Sequence, residues 1–367
     1  MKRMLFVVWI VVFLTALPAF AQPESVVIEP GYSGARVQFS PDGSLLAVFP
    51  DAGFMQAMEF VPNPLTTAVL LYDPATGEQL RMLTGARDYI GSLIFTPDGA
   101  QVIGLSMNGD LLTWDTASGA LQHNVRLPIF GQRPALFWHP QTGELVIPSL
   151  NRTHTTYLTV DPVTGASTLL VHHPDFTQFG EWWARTANMG GKTAEDHIIV
   201  PFRYSDAVAD LPLQGDEVWV VTPMDEVALL SLGTGEAQVL REAEDVPMFS
   251  IRDLVATDSG LVAYTVGSED TMVVFDLTTG DVREIPVEDD TALLSPDGEQ
   301  IAQFNADRNG LILSDSDGAK TESWLLADGL ETVRPLLRLR FSPDGSRLAV
   351  AGAQNSDEQS VILVYDL

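Results

Sequence analysis

Residues 294–318 read LSPDGEQIAQFNADRNGLILSDSDG, and this stretch carries both turns that recur along the chain. The first turn is Ser-Pro-Asp-Gly, which ends at Gly298, and the second is an acidic turn that ends at Gly318. Proline presets the backbone angle at the second position of a tight turn, and glycine is favoured at the fourth. Apolar segments flank both turns, so the stretch predicts short β-strands joined as hairpins.

Both turns return at a regular spacing, which is the signature of a repeat architecture. The first type recurs at Phe39–Gly43, Phe95–Gly99 and Phe341–Gly345, with a looser version at Phe137–Gly143. The acidic type occurs at Asp73–Gly77, Asp115–Gly119, Asp161–Gly165, Asp276–Gly280 and Asp315–Gly318, in a degenerate form at Ser231–Gly235, and in truncated form at Asp366.

Combining the two turns gives four strands per unit, for example 35–40, 44–50, 67–72 and 78–83 in the first unit. The fourth unit is irregular, with strands expected at 180–187, 196–203, 217–231 and 236–240. The seventh unit supplies only three strands, and the segment Glu24–Glu29 is available to pair with Val361–Tyr365. Such pairing would cover an exposed sheet edge. We therefore predict an all-β fold, a seven-bladed β-propeller of four-stranded antiparallel blades whose last blade is closed by the N-terminal strand.

The strand ends Tyr72-Asp73, Trp114-Asp115, Phe275-Asp276 and Tyr365-Asp366 resemble the aromatic-Asp ending of WD-repeat blades. The Ser-Pro-Asp-Gly elements resemble those of bacterial secreted or periplasmic WD-like propellers, including TolB-type proteins. The likeness covers most of residues 24–367, and it departs from eukaryotic WD repeats because no unit has their Gly-His dipeptide. The resemblance implies a propeller, and since propellers host unrelated functions it implies little about activity.

The N-terminus has the pattern of a secretory signal peptide. Lys2 and Arg3 precede an apolar run from Leu5 to Leu17, and Ala19-Phe20-Ala21 suits a cleavage site. The run is shorter than the roughly 20 residues of a membrane span. We expect a signal peptide at 1–21, cleaved after Ala21, a propeller at 22–367, no stable membrane insertion after cleavage, and a secreted or periplasmic protein; an uncleaved anchor is the alternative.

The chain is strongly acidic, with 20 Lys and Arg against 49 Asp and Glu. Without Lys2 and Arg3 the balance is 18 against 49, a formal charge of −31. Such a charge repels phosphate backbones, so a nucleic-acid partner is not expected. The sequence contains no cysteine, so stability must come without disulfides.

Long insertions between the predicted strands carry the candidate binding residues. They run from Asp51 to Thr66, from His172 to Gly180, which leads into Trp182 and Trp183, and from Tyr204 to Asp216. Aromatic and methionine side chains in long loops form adaptable binding surfaces, although they could also cap the blades. We expect a protein or small-ligand partner on this face, contacted by Phe54, Met58, Phe60, Phe176, Trp182, Trp183, Arg203 and Tyr204.

Several arginines lie in or just ahead of the predicted innermost strands, near the mouth of the central channel. Guanidinium groups there would bind an anionic ligand, or they would tie neighbouring blades together. The structural alternative is the one we favour. The candidate anion contacts are Arg36, Arg87, Arg133, Arg185, Arg252 and Arg334.

The sequence predicts neither a metal nor a cofactor. His172, His173 and His197 with Asp175 follow no recognised ligand spacing. Asn305–Gly310 resembles the start of a calcium loop, but Ser316 stands where the loop needs an acidic residue, and a turn between strands explains the same residues.

Catalytic motifs are also not apparent. The chain has no Gly-x-Ser-x-Gly elbow and no complete Gly-x-x-x-x-Gly-Lys-Ser/Thr phosphate-binding loop. We therefore predict no catalytic residues and an exported, non-catalytic propeller that acts as a binding scaffold through its loop-rich face. The alternative is a lactonase-like propeller hydrolase with its site at the channel mouth.

Overall fold

The protein was analysed as a computed structural model. Its described residues are 23–57, 59–127, 136–138, 142–150, 155–173, 217–221, 227–231, 237–241, 253–257, 260–266, 271–276, 281–289, 291–326, 330–331, 338–354 and 359–367.

The described strands form antiparallel sheets that follow one another along the chain. We number the sheets in chain order. The first strand, β1 (Ser25–Ile28), joins the last sheet, and sheet 1 contains β2 (Ala35–Phe39), β3 (Leu46–Pro50), β4 (Val69–Tyr72) and β5 (Gln79–Leu83). Sheet 2 contains β6 (Ile90–Phe95), β7 (Gln101–Ser106), β8 (Asp110–Asp115) and β9 (Leu121–Arg126). Sheet 3 contains β10 (Phe137–Trp138), β11 (Leu145–Leu150), β12 (Thr155–Val160) and β13 (Ser167–His173).

The second half of the chain continues the pattern, and a short helix, α1 (Ala52–Ala57), lies between β3 and β4. Sheet 4 contains β14 (Glu217–Val221), β15 (Val227–Ser231) and β16 (Ala237–Arg241); sheet 5 contains β17 (Asp253–Thr257), β18 (Gly260–Val266), β19 (Thr271–Asp276) and β20 (Val282–Pro286); sheet 6 contains β21 (Leu293–Leu294), β22 (Gln300–Phe304), β23 (Gly310–Asp315) and β24 (Lys320–Leu325); and sheet 7 contains β25 (Leu330–Glu331), β26 (Arg338–Phe341), β27 (Arg347–Gln354) and β28 (Ser360–Asp366) together with β1.

Strand β1 closes sheet 7 as predicted. It pairs antiparallel with β28, with Val26 opposite Val364 and Ile28 opposite Ile362. The two strands lie about 335 residues apart in sequence, so this pairing brings the two ends of the fold together. The prediction of an all-β propeller with four-stranded antiparallel sheets is confirmed. The count of seven blades stays a prediction.

Apolar side chains between consecutive sheets form the core. One cluster joins sheets 7 and 1 through Leu46, Leu70, Ile362 and Val364. Equivalent clusters join sheets 1 and 2, 2 and 3, 5 and 6, and 6 and 7. The third strands are covered on both faces, and for this reason β4 reads as the uninterrupted apolar run Val69–Tyr72.

Two local predictions need correction. The segment 217–231 was expected to be one strand, whereas β14 ends at Val221 and pairs back onto β15, with Glu217 opposite Ser231. Pro223 lies between the two strands and cannot donate a ladder hydrogen bond, which disfavours a continuous strand. The insertion from Asp51 was expected to be a loop, but its first part forms α1.

The closure predicts a position-dependent loss of stability within β1. Ile28 is 1% exposed and Val27 is 51% exposed on the same strand. Ile28→Ala should lower the free energy of unfolding by about 2–5 kcal/mol, because it leaves a cavity between sheets 7 and 1. Val27→Ala should change it by less than about 0.5 kcal/mol. Urea unfolding of residues 22–367 measures both; similar losses in the two variants would contradict the closure.

A second prediction separates backbone strain from packing. Gly77 and Gly99 have φ values of +73° and +69°, but a Cβ on Gly77 would lie 2.7 Å from Cγ1 of Val26 whereas one on Gly99 meets nothing within 4 Å. Both alanine variants should lose about 1–2 kcal/mol from the left-handed conformation. Gly77→Ala should lose about 1–3 kcal/mol more, because β1 must shift. Equal losses by urea unfolding would show that the turn does not pack on β1.

Candidate functional site

The antiparallel sheets give the molecule two kinds of connection at opposite ends of the strands. We call one end the turn face; it contains the links from first to second and from third to fourth strands, such as 40–45 and 73–78. We call the other end the loop face; it contains the links from second to third strands and between sheets, such as 51–68 and 84–89. The insertion 51–68 belongs to the loop face, whereas the insertions 172–180 and 204–216 lie almost wholly outside the described residues.

The turn face is built from repeated side-chain hydrogen bonds. In the first turn the Ser40 hydroxyl donates to Oδ1 of Asp42 at 2.6 Å and accepts the Leu45 amide at 2.9 Å, while the Ser44 amide donates to Oδ1 of Asp42 at 3.1 Å. The same donors recur around Asp98, Asp297 and Asp344.

These bonds favour the ionised carboxylates. The Ser40 hydroxyl, followed by the Ser44 amide, lowers the pKa of Asp42. The hydroxyls of Thr96 and Ser342 lower the pKa of Asp98 and Asp344 in the same way. The carboxylates of Asp42, Asp98 and Asp344 are therefore occupied within their own turns.

The acidic turns repeat the arrangement at the third strands. Asp115 accepts both the hydroxyl and the amide of Ser118, and the hydroxyl bond is the main cause of the lowered pKa of Asp115. Thr164 acts similarly on Asp161. An open groove between sheets 2 and 3 is lined by Asp98, Asp115 and Trp138, among others. The indole of Trp138 donates a hydrogen bond to the Phe95 carbonyl at 2.8 Å. This side chain of the groove wall therefore holds sheets 2 and 3 together.

The insertion 51–68 on the loop face is anchored to sheet 2. Ala52 and Met55 of α1 pack with Tyr89 in a small buried cluster. The Tyr89 hydroxyl donates to the Phe60 carbonyl oxygen at 2.6 Å. These contacts hold a segment whose apolar side chains face outward: Phe60 is 40% exposed and Val61 is 79% exposed.

A compact turn follows the exposed pair and returns the chain to the sheet. The Asn63 side chain accepts the amides of Leu65 and Thr66, and the Asn63 amide donates to the Thr66 hydroxyl. The backbone carbonyl of Met55 accepts a hydrogen bond from the Phe60 amide at 3.0 Å. Bonds on both sides therefore fix the position of Phe60 and Val61.

Only part of the predicted binding set falls on the described residues. Phe54 lies in α1, and Phe60 follows it in the same insertion. The structure thus places these two in one insertion, 51–68. The remaining members lie outside the described residues, and their convergence stays a prediction: Met58, Phe176, Trp182, Trp183, Arg203 and Tyr204.

Two residues of this site were not anticipated from the sequence. Tyr89 precedes β6 and carries no motif, so its bond to Phe60, 29 residues earlier, has no sequence signal. Val61 is neither aromatic nor a methionine, so its residue type did not predict a binding role. The flanking Pro62 and Pro64, which exclude regular strand pairing, were the available indication that it lies in an exposed segment.

Two arginines of first strands, Arg36 and Arg340, tie the first strands of neighbouring sheets together. Arg36 of β2 donates to the Gly91 carbonyl of β6 at 3.3 Å, and its guanidinium lies 5.5 Å from the centre of the Phe49 ring. Arg340 of β26 donates to Gln38 of β2 at 3.3 Å. Arg87 is exposed in the link from β5 to β6. The other candidate anion contacts lie outside the described residues: Arg133, Arg185, Arg252 and Arg334.

The calcium-like stretch is a turn, in agreement with the structural interpretation. The Asn305 side chain accepts the amides of Asn309 and Gly310. Arg308 pairs with the buried Asp289 at 2.5 Å. Among the described residues no group of three His, Cys, Asp or Glu side chains is placed to bind a metal, and no described helix is long and apolar enough to span a membrane. His172 and His173 end β13, whereas Asp175 and His197 lie outside the described residues.

Comparison with known proteins supports the fold. No family model matches the chain, and no curated protein matches it. The solved structures that resemble it include the crystal structure of the β-propeller domain of Cps50 (Swd1) from Myceliophteria thermophila. The match has a TM-score of 0.58 and 16% sequence identity, and it covers 94% of this chain and 100% of that one. The chain is therefore a β-propeller with a WD-repeat-like fold.

The hydrogen bonds of the turn face predict a stability difference between two serines. Ser40 is 1% exposed and bridges Asp42 to the Leu45 amide, whereas Ser44 is exposed and bonds Asp42 alone. Ser40→Ala should cost about 1–3 kcal/mol in urea unfolding at pH 7, because it leaves the partly buried Leu45 amide unpaired. Ser44→Ala should cost less than about 0.5 kcal/mol.

The hydrogen bond between Ser40 and Asp42 predicts that the stability cost of losing it depends on pH. The pKa of Asp42 is lowered in the fold. Its contribution to the free energy of unfolding is therefore present above about pH 3.9, the pKa of aspartate in an unfolded chain, and is lost as pH falls through the folded-state pKa. The penalty of Ser40→Ala should therefore be largest near neutral pH and shrink in acid. A penalty that grows on acidification would contradict this role for Ser40.

Proposed function

We propose that this protein is an exported, non-catalytic propeller scaffold that binds a partner macromolecule through its loop face. The observation that carries the proposal is the exposed pair Phe60 and Val61, held outward by the Tyr89 bond. Exposed apolar patches mark interaction sites, and the adjacent Phe60 and Val61 form a small one on this insertion. The aspartates of the tight turns differ, because they accept amides of their own turns.

The geometry of the insertion suits recognition. A preordered apolar segment loses little conformational entropy on binding, so more of its burial energy contributes to affinity. Phe60 and Val61 would act as anchors, in the manner of the few residues that dominate most interfaces. Phe54 of the same insertion was predicted from the sequence to take part. Met58, Phe176, Trp182, Trp183, Arg203 and Tyr204 complete the proposed surface, with Arg203 as a polar contact.

Export is part of the proposal and rests on the sequence. The basic start, the apolar run and Ala19-Phe20-Ala21 support cleavage after Ala21 and a periplasmic or secreted location. The Ser-Pro-Asp-Gly turns support a likeness to TolB-type periplasmic propellers. Mass spectrometry of the protein from the envelope fraction should find Gln22 as the first residue.

The binding face is tested by site-specific crosslinking. A photo-reactive amino acid at Val61 should capture a discrete partner in the native host, which mass spectrometry identifies. The same amino acid at Ala75, an exposed position on the turn face, is the matched control and should capture nothing. Equal capture at both positions, or none at Val61, would contradict the loop face as the interface.

The captured partner then allows an affinity measurement. Phe60→Ala and Val61→Asp should each weaken binding by about 1–2 kcal/mol, or roughly 5- to 30-fold in Kd, since both are proposed anchors. Ala75→Asp should leave Kd unchanged. Calorimetry with purified proteins measures all three, and circular dichroism checks that each variant keeps its fold.

A further inference from the structure

The C-terminal end of α1 closes with a helix cap that usually contains glycine, but here the residue is Glu59. The Glu59 amide donates to the Gln56 carbonyl at 3.0 Å, and the Phe60 amide donates to the Met55 carbonyl at 3.0 Å. These two nested bonds form a Schellman motif, in which the residue after the helix takes a left-handed backbone conformation. Glu59 has this conformation, with a φ of +54°.

Glutamate is poorly suited to this position. A residue with a Cβ is strained in the left-handed region, so glycine is the usual residue at such a cap. A carboxylate just beyond the last turn of a helix also lies near unpaired carbonyl groups, where a positive charge is the favourable one. The fold alone would therefore favour glycine at position 59.

A comparison with Arg308 shows what a side chain in this conformation can contribute. Among the described residues with positive φ, Glu59 and Arg308 are the two that are not glycine. Arg308 binds the buried Asp289 at 2.5 Å, so its side chain serves the fold. Glu59 is exposed, and its bond to Gln56 uses its backbone amide. With respect to the described residues, the Glu59 carboxylate is available to a partner.

Glu59 lies directly beside the exposed apolar pair. Phe60 is 40% exposed and Val61 is 79% exposed, and the Tyr89 hydroxyl bonds the Phe60 carbonyl at 2.6 Å. The helix cap and this bond hold three consecutive residues in one arrangement, so a carboxylate and two apolar side chains are presented together. Strained residues that their surroundings hold in place cluster at binding sites.

We propose that Glu59 is a charged contact of the loop-face interface, and that it recognises a protein partner with an arginine or lysine beside the apolar pocket that receives Phe60 and Val61. This inference rests on the proposed function and specifies the chemistry of the partner. A carboxylate binds a guanidinium or ammonium group by charge-assisted hydrogen bonds. The apolar anchors supply most of the affinity, whereas the charge pair beside them selects the partner and its orientation.

Glycine at position 59 separates a role in the fold from a role in recognition, because the expected changes have opposite signs. Glu59→Gly removes the backbone strain and should raise the urea midpoint of residues 22–367. It also removes the carboxylate, and should raise the Kd for the protein captured through Val61 by roughly 5- to 10-fold. Glu59→Gln keeps the strained residue and removes the charge, so it should raise Kd by a similar factor with little change in the urea midpoint.

Glu78 provides the matched control, since it is an exposed glutamate on the turn face. Glu78→Gln should leave both the Kd and the urea midpoint unchanged. Added salt gives a second readout, because it screens exposed charge pairs. The Kd of the wild-type protein should rise more steeply with NaCl than the Kd of Glu59→Gln, and Glu78→Gln should keep the wild-type dependence.

A double-mutant cycle tests the partner's side of the charge pair. Each arginine and lysine of the partner segment crosslinked to Val61 is changed to glutamine in turn. One of these changes should weaken binding by itself and add no further loss when it is combined with Glu59→Gln. Independent losses at every position would contradict the assigned chemistry.

The outcomes distinguish this inference from the proposed function. If Phe60→Ala weakens binding and Glu59→Gln does not, the inference about Glu59 is wrong and the proposed function stands. If neither variant weakens binding, or if nothing is captured at Val61, both are wrong. A lower urea midpoint for Glu59→Gly would overturn the inference as well, because the side chain of Glu59 would then serve the fold.

Discussion

Strand β1 pairs with β28, and this contact completes sheet 7 at the face that packs on sheet 1. Without β1, the edge of β28 would expose unpaired amides and carbonyls along Ile362–Tyr365. The apolar faces of sheets 7 and 1 would also lose Ile28, which lies in the cluster between them. A ring of sheets packed side by side needs a partner for its last face, and a strand from the N-terminus supplies it.

A second constraint, the close approach of acidic turns to neighbouring strands, repeats around the ring. Gly77, Gly119, Gly165 and Gly318 all have a left-handed backbone, and each lies against the outer strand of the sheet before it. Any side chain at these positions would meet that strand. Because Gly77 makes this contact with β1, the turn itself identifies β1 as the outer strand of sheet 7. The repeated Asp-x-x-x-Gly pattern thus encodes both a hairpin and the spacing between sheets.

The sequence predicted most of the scaffold because its signals are local. Ser40 and Asp42 form the expected turn because the proline between them presets one backbone angle and Gly43 adopts the left-handed conformation that closes the turn. The closing strand was also predictable, since an apolar edge requires a partner. The helix α1 was missed because its six residues are too few for helical periodicity to show. The site was largely beyond prediction, because the bond from Tyr89 to Phe60 joins segments whose proximity depends on the packing of two sheets.

The acidic composition takes on a different meaning once the turns are seen in atomic detail. Eight described aspartates bind amides of their own turns: Asp42, Asp73, Asp98, Asp115, Asp161, Asp297, Asp315 and Asp344. These carboxylates bond within their own hairpins, so their charge does not by itself call for a cationic partner. Lysine or glutamate could not replace them, because only a short acceptor side chain reaches the next amides. Part of the negative charge therefore follows from the repeat itself, and recognition is better sought in the irregular insertions, where apolar side chains such as Val61 are exposed without serving the core.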